Sequence, residues 1–326
     1  MSNEVDLIVL GGSAGSLAAL QKILPKLPED LPASVLICQH TPAFGELRAV
    51  DLLRPYAKLP IRPAEDGMAL KPGQIIFAVP DTHMMIGRGH VHLRRGAHEN
   101  NFRPAVDPLF RSAAIYGSTR TVAVVLSGLM DDGAAGARAV ARTGGRVLVQ
   151  DPATAEHPDM PQAALRAVAG AEAVPLEGIA DRIAELAGSP CEPTEEIPWE
   201  IGLEVKIASL EGASMESEDK LGELSPYNCP DCNGVLWRIE DGPMRRYRCH
   251  TGHAYTQAAL GAAQQEALDR SLFDSLRAHK GRMHLLREMA ATSGQGESRR
   301  MLERRAQLVE EDATRLESII RSRRAV

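Results

Sequence analysis

The chain has 326 residues, 44% of them hydrophobic and 25% charged, and a formal net charge of −6. That is the profile of a soluble globular protein with room for more than one domain, and its acidic balance gives no electrostatic case for nucleic acid. No apolar run reaches membrane-spanning length and the N-terminus lacks a basic-then-apolar signal segment, so no membrane insertion and a cytoplasmic location are expected.

Residues 4–187 alternate strand-like and helix-like segments. Val5–Leu10, Ser34–Gln39, Gln74–Val79, Thr121–Leu126 and Gly145–Gln150 read as strands; Leu17–Leu24, Gly45–Arg54, Pro108–Tyr116, Ala134–Arg142 and Pro161–Ala167 read as helices. Alternation of this kind predicts an α/β fold, a doubly wound and mostly parallel sheet, with Met84–Leu93 as an inserted hairpin. Residues 188–226 are polar and proline-interrupted and read as a linker with a short strand at Ile201–Ile207. Residues 227–256 form a compact Cys/His segment. Residues 257–326, rich in Ala, Leu, Glu and Arg and broken by "TSGQGES" at 292–298, read as a helical hairpin.

The first strand runs into "GGSAGS". A Walker loop would need Gly-Lys-Ser/Thr there, and a dinucleotide fingerprint G-x-G-x-x-G; neither is present. Gly11-Gly12-Ser13-Ala14-Gly15 instead has G-x-S-x-G spacing, in which a sharp strand-to-helix turn presents a serine hydroxyl above the sheet beside free helix N–H groups. An N-capping serine would give the same local pattern. "LICQHTP" delivers His40 at the end of the second strand, and "VVLSGLMDDGAAGARAV" delivers Asp131 and Asp132 between a later strand and a helix. Three strand ends thus supply a hydroxyl, an imidazole and a carboxylate, the parts of a nucleophilic triad. Their order, Ser-His-Asp, differs from the Ser-Asp-His order of α/β-hydrolases.

At this point residues 4–187 resemble the catalytic domain of the CheB-type chemotaxis protein-glutamate methylesterases. The matching pieces, in the family's order, are "LGGSAGS", "CQHTP", "AEDGMALKPGQIIFAVPDTHM", "RPAVDPLFRSAA", "VVLSGLMDDGAAG", "GGRVLVQDPATAEHPDMPQAAL" and "AVPLEGIA". The resemblance implies hydrolysis of glutamyl methyl esters on chemoreceptor-like proteins, with glutamine deamidation as a side activity and no cofactor in catalysis. It implies Ser13 as nucleophile, His40 as base, Asp132 rather than Asp131 as its partner, and oxyanion contacts from Ala14 N–H and the backbone at Leu129 and Met130. Met130 stands where the family usually has glycine. It further implies a receiver domain ahead of the catalytic one, for which this chain has no room, so activation by phosphorylation in cis is not expected. The competing reading is a regulator that binds a modified protein without turnover. In the family's pattern Arg103 and Asp107 lie near the cleft, and His157 and Met160 lie on a loop beside it.

The chain has five cysteines, too few and too unevenly placed for a disulfide scaffold. Cys229, Cys232 and Cys249 with His253, or with His250 in its place, have the composition of a closed tetrahedral zinc site at two loop ends, the loops joined by a hairpin turning at Asp241-Gly242. His83, His90, His92 and His98 form no metal-like pairing. Arg238, Arg245, Arg246 and Arg248 with Trp237 and Tyr247 offer a basic-aromatic face, for which protein contact is favoured over nucleic acid. The terminal helices are candidates for dimerisation or for docking a methyltransferase or signalling partner.

Overall fold

The computed structural model describes residues 4, 6–42, 48–192, 197–210 and 221–323. Its centre is a seven-stranded parallel sheet built from β1 (Leu7–Gly12), β2 (Ser34–Gln39), β3 (Ile61–Pro63), β4 (Gln74–Phe77), β7 (Thr121–Val125), β8 (Arg146–Gln150) and β9 (Glu172–Val174), in the order β3-β4-β2-β1-β7-β8-β9. Leu7 pairs with Ser34 on one side and Thr121 on the other. Strand order reverses between β1 and β7, and this switch point opens a crevice at the carboxyl ends of the strands.

Alternation along β1 builds the two layers. Leu7 and Val9 face one core, with Leu36, Cys38 and the helices α3 (Val106–Tyr116), α4 (Ala134–Arg142) and α5 (Asp159–Ala167). Ile8 and Leu10 face the other, with Val35, Ile37, α1 (Ser16–Ile23) and α6 (Ile179–Leu186). Strands buried on both faces read as continuous apolar runs, which is why they were visible in the sequence. The inserted hairpin is β5 (His83–Gly87) with β6 (His90–Arg94). Of the helix expected at 45–54, Arg48–Leu53 is helical (α2), and residues 43–47 lie outside the described residues.

The segment read as a linker holds more structure than expected. Ile201–Ile207 is not a strand but the middle of helix α7 (Trp199–Ser209), buried through Ile201, Leu203, Glu204, Val205, Ile207 and Ala208. Strand β10 (Glu223–Asn228) then opens a four-stranded antiparallel ribbon with β11 (Val235–Asp241), β12 (Met244–Cys249) and β13 (Ala254–Thr256). The β11–β12 turn falls at Gly242, with φ 59°.

The chain divides into two compact units, Met1–Leu260 and Gly261–Val326, so the sheet and the ribbon belong to one body. Helix α8 (Gln257–Thr292) begins in the first unit and continues into the second, where it pairs with α9 (Glu297–Arg323). The second unit is an antiparallel pair closed by Leu286, Ala290, Leu302 and Ala306 and flanked by Lys280–Glu317 at 2.6 Å and Arg287–Glu310 at 2.7 Å. Among the described residues, no helix is long and apolar enough to cross a membrane.

Candidate active site and Cys/His cluster

Ser13, His40 and Asp132 lie at the ends of β1, β2 and β7, the three central strands of the sheet, and meet at the switch point. Ser13 Oγ is 3.0 Å from His40 Nδ1, and His40 Nε2 is 2.7 Å from Asp132 Oδ2. The His40 and Asp132 side chains are only 4% and 2% exposed. A proton on Nε2 donated to Asp132 leaves the Nδ1 lone pair to accept from the serine hydroxyl, the tautomer a general base needs.

The turn is held by its small residues. Ser13 N–H donates to Ser127 O at 3.0 Å, and Ser16 Oγ donates to Ser13 O at 2.6 Å. Gly15, at φ 77°, ends the turn ahead of α1. A Cβ on Gly11 would lie 2.2 Å from Val106 Cγ1, so the backbone there must be glycine for α3 to approach. Among the described residues, the N–H groups of Ala14, Leu129 and Met130 make no hydrogen bond. Met130 is left-handed at φ 66°, the conformation a glycine would take most easily.

Asp132 is over-determined. Its Oδ2 also accepts from Val106 N–H at 2.6 Å, and its Oδ1 from Asn100 Nδ2 at 2.9 Å and Asp107 N–H at 3.3 Å. Burial pushes the carboxyl up, but the hydrogen bonds from His40, Val106 and Asn100 outweigh it and hold Asp132 below the usual carboxylate range. Asp107, beside it and accepting from Asn100 Nδ2 at 3.0 Å and Gly136 N–H at 2.7 Å, is pushed up to about 7 by burial and by the Asp132 charge. The negative charge of this pair therefore resides on Asp132. Asp131 plays no part in it: its Oδ1 accepts from Thr256 Oγ1 at 2.6 Å.

Other residues singled out in the sequence separate cleanly. Arg103 is tied to Asp81, Nε to Oδ1 2.9 Å, in an ion pair. Met160 is fully buried under Gly128, and His157 anchors the neighbouring loop by accepting from Gly128 N–H. Residue type alone does not single out Phe102, whose ring stacks on the His40 imidazole, or Asn100. Their only signal was the position of "NNFRPAVD" next to matched residues.

Cys229, Cys232, Cys249 and His253 bring their ligand atoms within 4.8 Å of one another. Two tight turns place them: Cys229 N–H donates to Gly234 O and Cys249 N–H to His253 O. Cys232 Sγ is 3.7 Å from Cys249 Sγ, close to the spacing of about 3.8 Å that bonds of ~2.3 Å impose at a tetrahedral metal. Hydrogen bonds from Cys249, and then from His253 and Tyr255, pull the Cys229 thiol down toward the thiolate a metal requires. His253 Nδ1 faces Cys249 at 3.4 Å while its Nε2 lies 3.6 Å from Asp231, a carboxylate placed to orient the ring. The cluster thus selects His253; His250 packs its ring edge-on to Trp237. These four residues fit a metal ion. His98, expected to have no metal-like pairing, sits with Asp231 and His253 in a second such group.

Half of the basic-aromatic face, Arg246, Tyr247 and Arg248, turns inward. Arg246 pairs with Glu204 through two bonds of 2.7 Å, and Arg248 reaches Glu99 and Glu204 at 3.0 Å each. Arg111 of α3 closes the group through Glu99. All five side chains are buried. Burial works against both carboxylates, but the arginines prevail and keep Glu99 and Glu204 ionised.

The geometry agrees with what the chain is similar to. The model of the CheB methylesterase family matches residues 8–183. The protein-glutamate methylesterase/protein-glutamine glutaminase 4 of Burkholderia thailandensis is 34% identical over 181 residues, 55% of this chain and 53% of that protein. The corresponding protein of Bordetella bronchiseptica is 37% identical over 182 residues, 54% of this chain and 52% of that protein. The crystal structure of the Thermotoga maritima CheB methylesterase catalytic domain superposes with a TM-score of 0.53 at 32% identity, covering 56% of this chain and 98% of that one. With more than half its length matched, the chain belongs to the CheB methylesterase family. It spans about half the length of the curated relatives it matches.

Proposed function

We propose that this chain is a serine esterase that hydrolyses glutamyl methyl esters on chemoreceptor-like signalling proteins, and that it also deamidates glutamine there. The observation that carries the reading is the continuous Ser13–His40–Asp132 hydrogen-bond chain at the sheet's switch point. His40 takes the Ser13 proton as Oγ attacks the ester carbonyl. The oxyanion is stabilised by backbone N–H groups, with Ala14 and the Leu129-Met130 turn the candidates. Collapse of the intermediate transfers the proton to the leaving oxygen and expels methanol, leaving an acyl-enzyme. Water, deprotonated by His40, then releases the glutamate carboxylate and restores Ser13. Ammonia replaces methanol as leaving group when the substrate is a glutamine.

The same chain of hydrogen bonds favours turnover over mere binding, because a binding module has no use for a hydroxyl, an imidazole and a desolvated carboxylate in line. Methanol release from methylated receptor signalling domains tests this. Wild type should release methanol and label with a fluorophosphonate at Ser13, and Ser13→Ala should do neither. Wild-type protein that neither turns over nor labels would sink the proposal.

We further assign Cys229, Cys232, Cys249 and His253 to a structural zinc ion, since four protein ligands leave no open position for chemistry. We keep residues 1–187 as the proposed catalytic domain, with the Cys/His ribbon in the same compact unit and the helical pair in the other. The helical pair, which exposes Phe273, Leu285, Met289, Met301 and Leu308, is assigned to contact with a signalling partner.

A further inference from the structure

The ribbon is wired into the catalytic carboxylate. Asn100 is buried and held at φ 51°, and its side-chain amide and its N–H are all committed. Its Nδ2 donates to Asp132 Oδ1 and Asp107 Oδ2. Its Oδ1 accepts from Thr256 N–H at 2.9 Å, and its own N–H donates to Ala254 O at 2.8 Å. An asparagine with both faces of its amide used has no rotational freedom, so it transmits position rather than absorbing it.

Both ends of that relay are informative. At the catalytic end, Thr256 reaches the acidic turn twice, through Asn100 to Asp132 and through Oγ1 to Asp131. At the far end, β13 begins directly after His253, and the turn that joins it to β12 runs from Cys249 to His253. Whatever fixes that turn fixes the register of Ala254 and Thr256. The candidate metal ligands are therefore separated from His40 only by Ala254, Asn100 and Asp132.

We propose that Asn100 is a positioning residue through which the Cys/His ribbon holds the Asp132 carboxylate against His40, so that the metal state of the ribbon sets the geometry of the triad. The proposal rests on the esterase reading only for its effect on rate; the geometric link stands on the contacts alone. A chain of this design would be controlled by metal supply or thiol oxidation at the ribbon.

The test uses the full chain with two readouts, kcat and KM for methanol release and the low-field proton signal of the His40 Nε2–H, identified by its absence in His40→Gln. Asn100→Ala should lower kcat about 10- to 100-fold with KM within about twofold, and displace the imidazole signal. Asn100→Leu, which keeps the size but can neither donate nor accept, should do the same; activity near wild type in that variant would overturn the relay. Cys249→Ser, or extraction of Zn²⁺ from wild type, should reproduce both changes. Thr256→Ala, which leaves the metal ligands intact, should give a smaller loss of kcat. The Asn100→Ala/Cys249→Ser double variant should be no worse than the more damaged single one. Strictly additive losses, or a metal-free ribbon with unchanged imidazole signal and kcat, would refute the proposal. If wild type neither releases methanol nor labels with fluorophosphonate, yet its imidazole signal responds to Zn²⁺ extraction, the esterase reading fails and the relay stands.

Discussion

The ring of Phe102 lies flat on the imidazole of His40, with centroids 3.6 Å apart and planes 11° from parallel. The contact fixes the plane in which His40 can bridge Ser13 and Asp132. Phe102→Ala is expected to lower kcat about 10- to 100-fold with little change in KM, since the imidazole is freed to turn. Phe102→Tyr, which keeps the stacked face, should retain most of the activity. Steady-state methanol release for the three proteins decides it.

The twin aspartates should behave differently. Asp132→Asn places an amide against His40 Nε2 and favours the wrong tautomer, so kcat should fall by about 10⁴-fold. Asp131→Asn keeps an acceptor for Thr256 Oγ1 and leaves the triad untouched, so its loss should be far smaller. Equal losses in a methanol-release assay would contradict this division.

How much of this was readable without the structure depends on how local each determinant is. The strands around Ser13, His40 and Asp132 are continuous apolar runs ended by glycine or polar residues, and such signals lie within a few residues of the site. Helix α7 was misread because Ile201, Leu203, Val205 and Ile207 alternate as a strand would. Its Glu204 is buried against Arg246 and Arg248, while its narrow solvent face carries Trp199 and Gly202 beside Lys206, so polarity does not trace a 3.6-residue pattern along it. Strands β3 and β9 have three residues each, too few for any period. Asn100 and Phe102 act through partners far away in sequence, and nothing in "NNF" itself announces that.

Folding stability should carry the signature of Asp107. Its pKa is raised from 3.8 to about 7, so between those pH values the folded chain holds a proton that the unfolded chain releases. Stability from this group therefore falls as pH rises from about 4 to about 7. Asp107→Asn, which cannot ionise, should flatten that part of the profile. Urea denaturation of both proteins across this range reads the difference directly.

Gly11→Ala is expected to destabilise the protein by about 1–3 kcal/mol, because the new methyl would collide with Val106 Cγ1. Val106 N–H also holds Asp132 Oδ2, so activity should fall with stability. A denaturation midpoint and a turnover rate measured on the same preparation would show both effects or refute the link.

Removing Glu204 should cost more than removing a solvent-exposed carboxylate would. It answers Arg246 and Arg248 directly and lies 3.7 Å from Arg111, all buried. Glu204→Gln leaves those guanidinium groups with an excess of buried positive charge, a loss of about 3–5 kcal/mol in chemical denaturation. A loss under about 1 kcal/mol would mean that solvent reaches the group.

The reversal of strand order between β1 and β7 also dictates when reactivity can arise during refolding. Leu7 must find Thr121, far along the chain, before the acidic turn meets the serine turn, and pairings between remote segments form slowly. The β1–β2 pairing, between nearer segments, brings Ser13 and His40 together without a carboxylate behind them. A refolding chain should therefore pass through a state with a serine and an imidazole in place but no activated hydroxyl. The first appearance of fluorophosphonate labelling would then time the docking of β7, making the active site a clock for the last central strand to arrive.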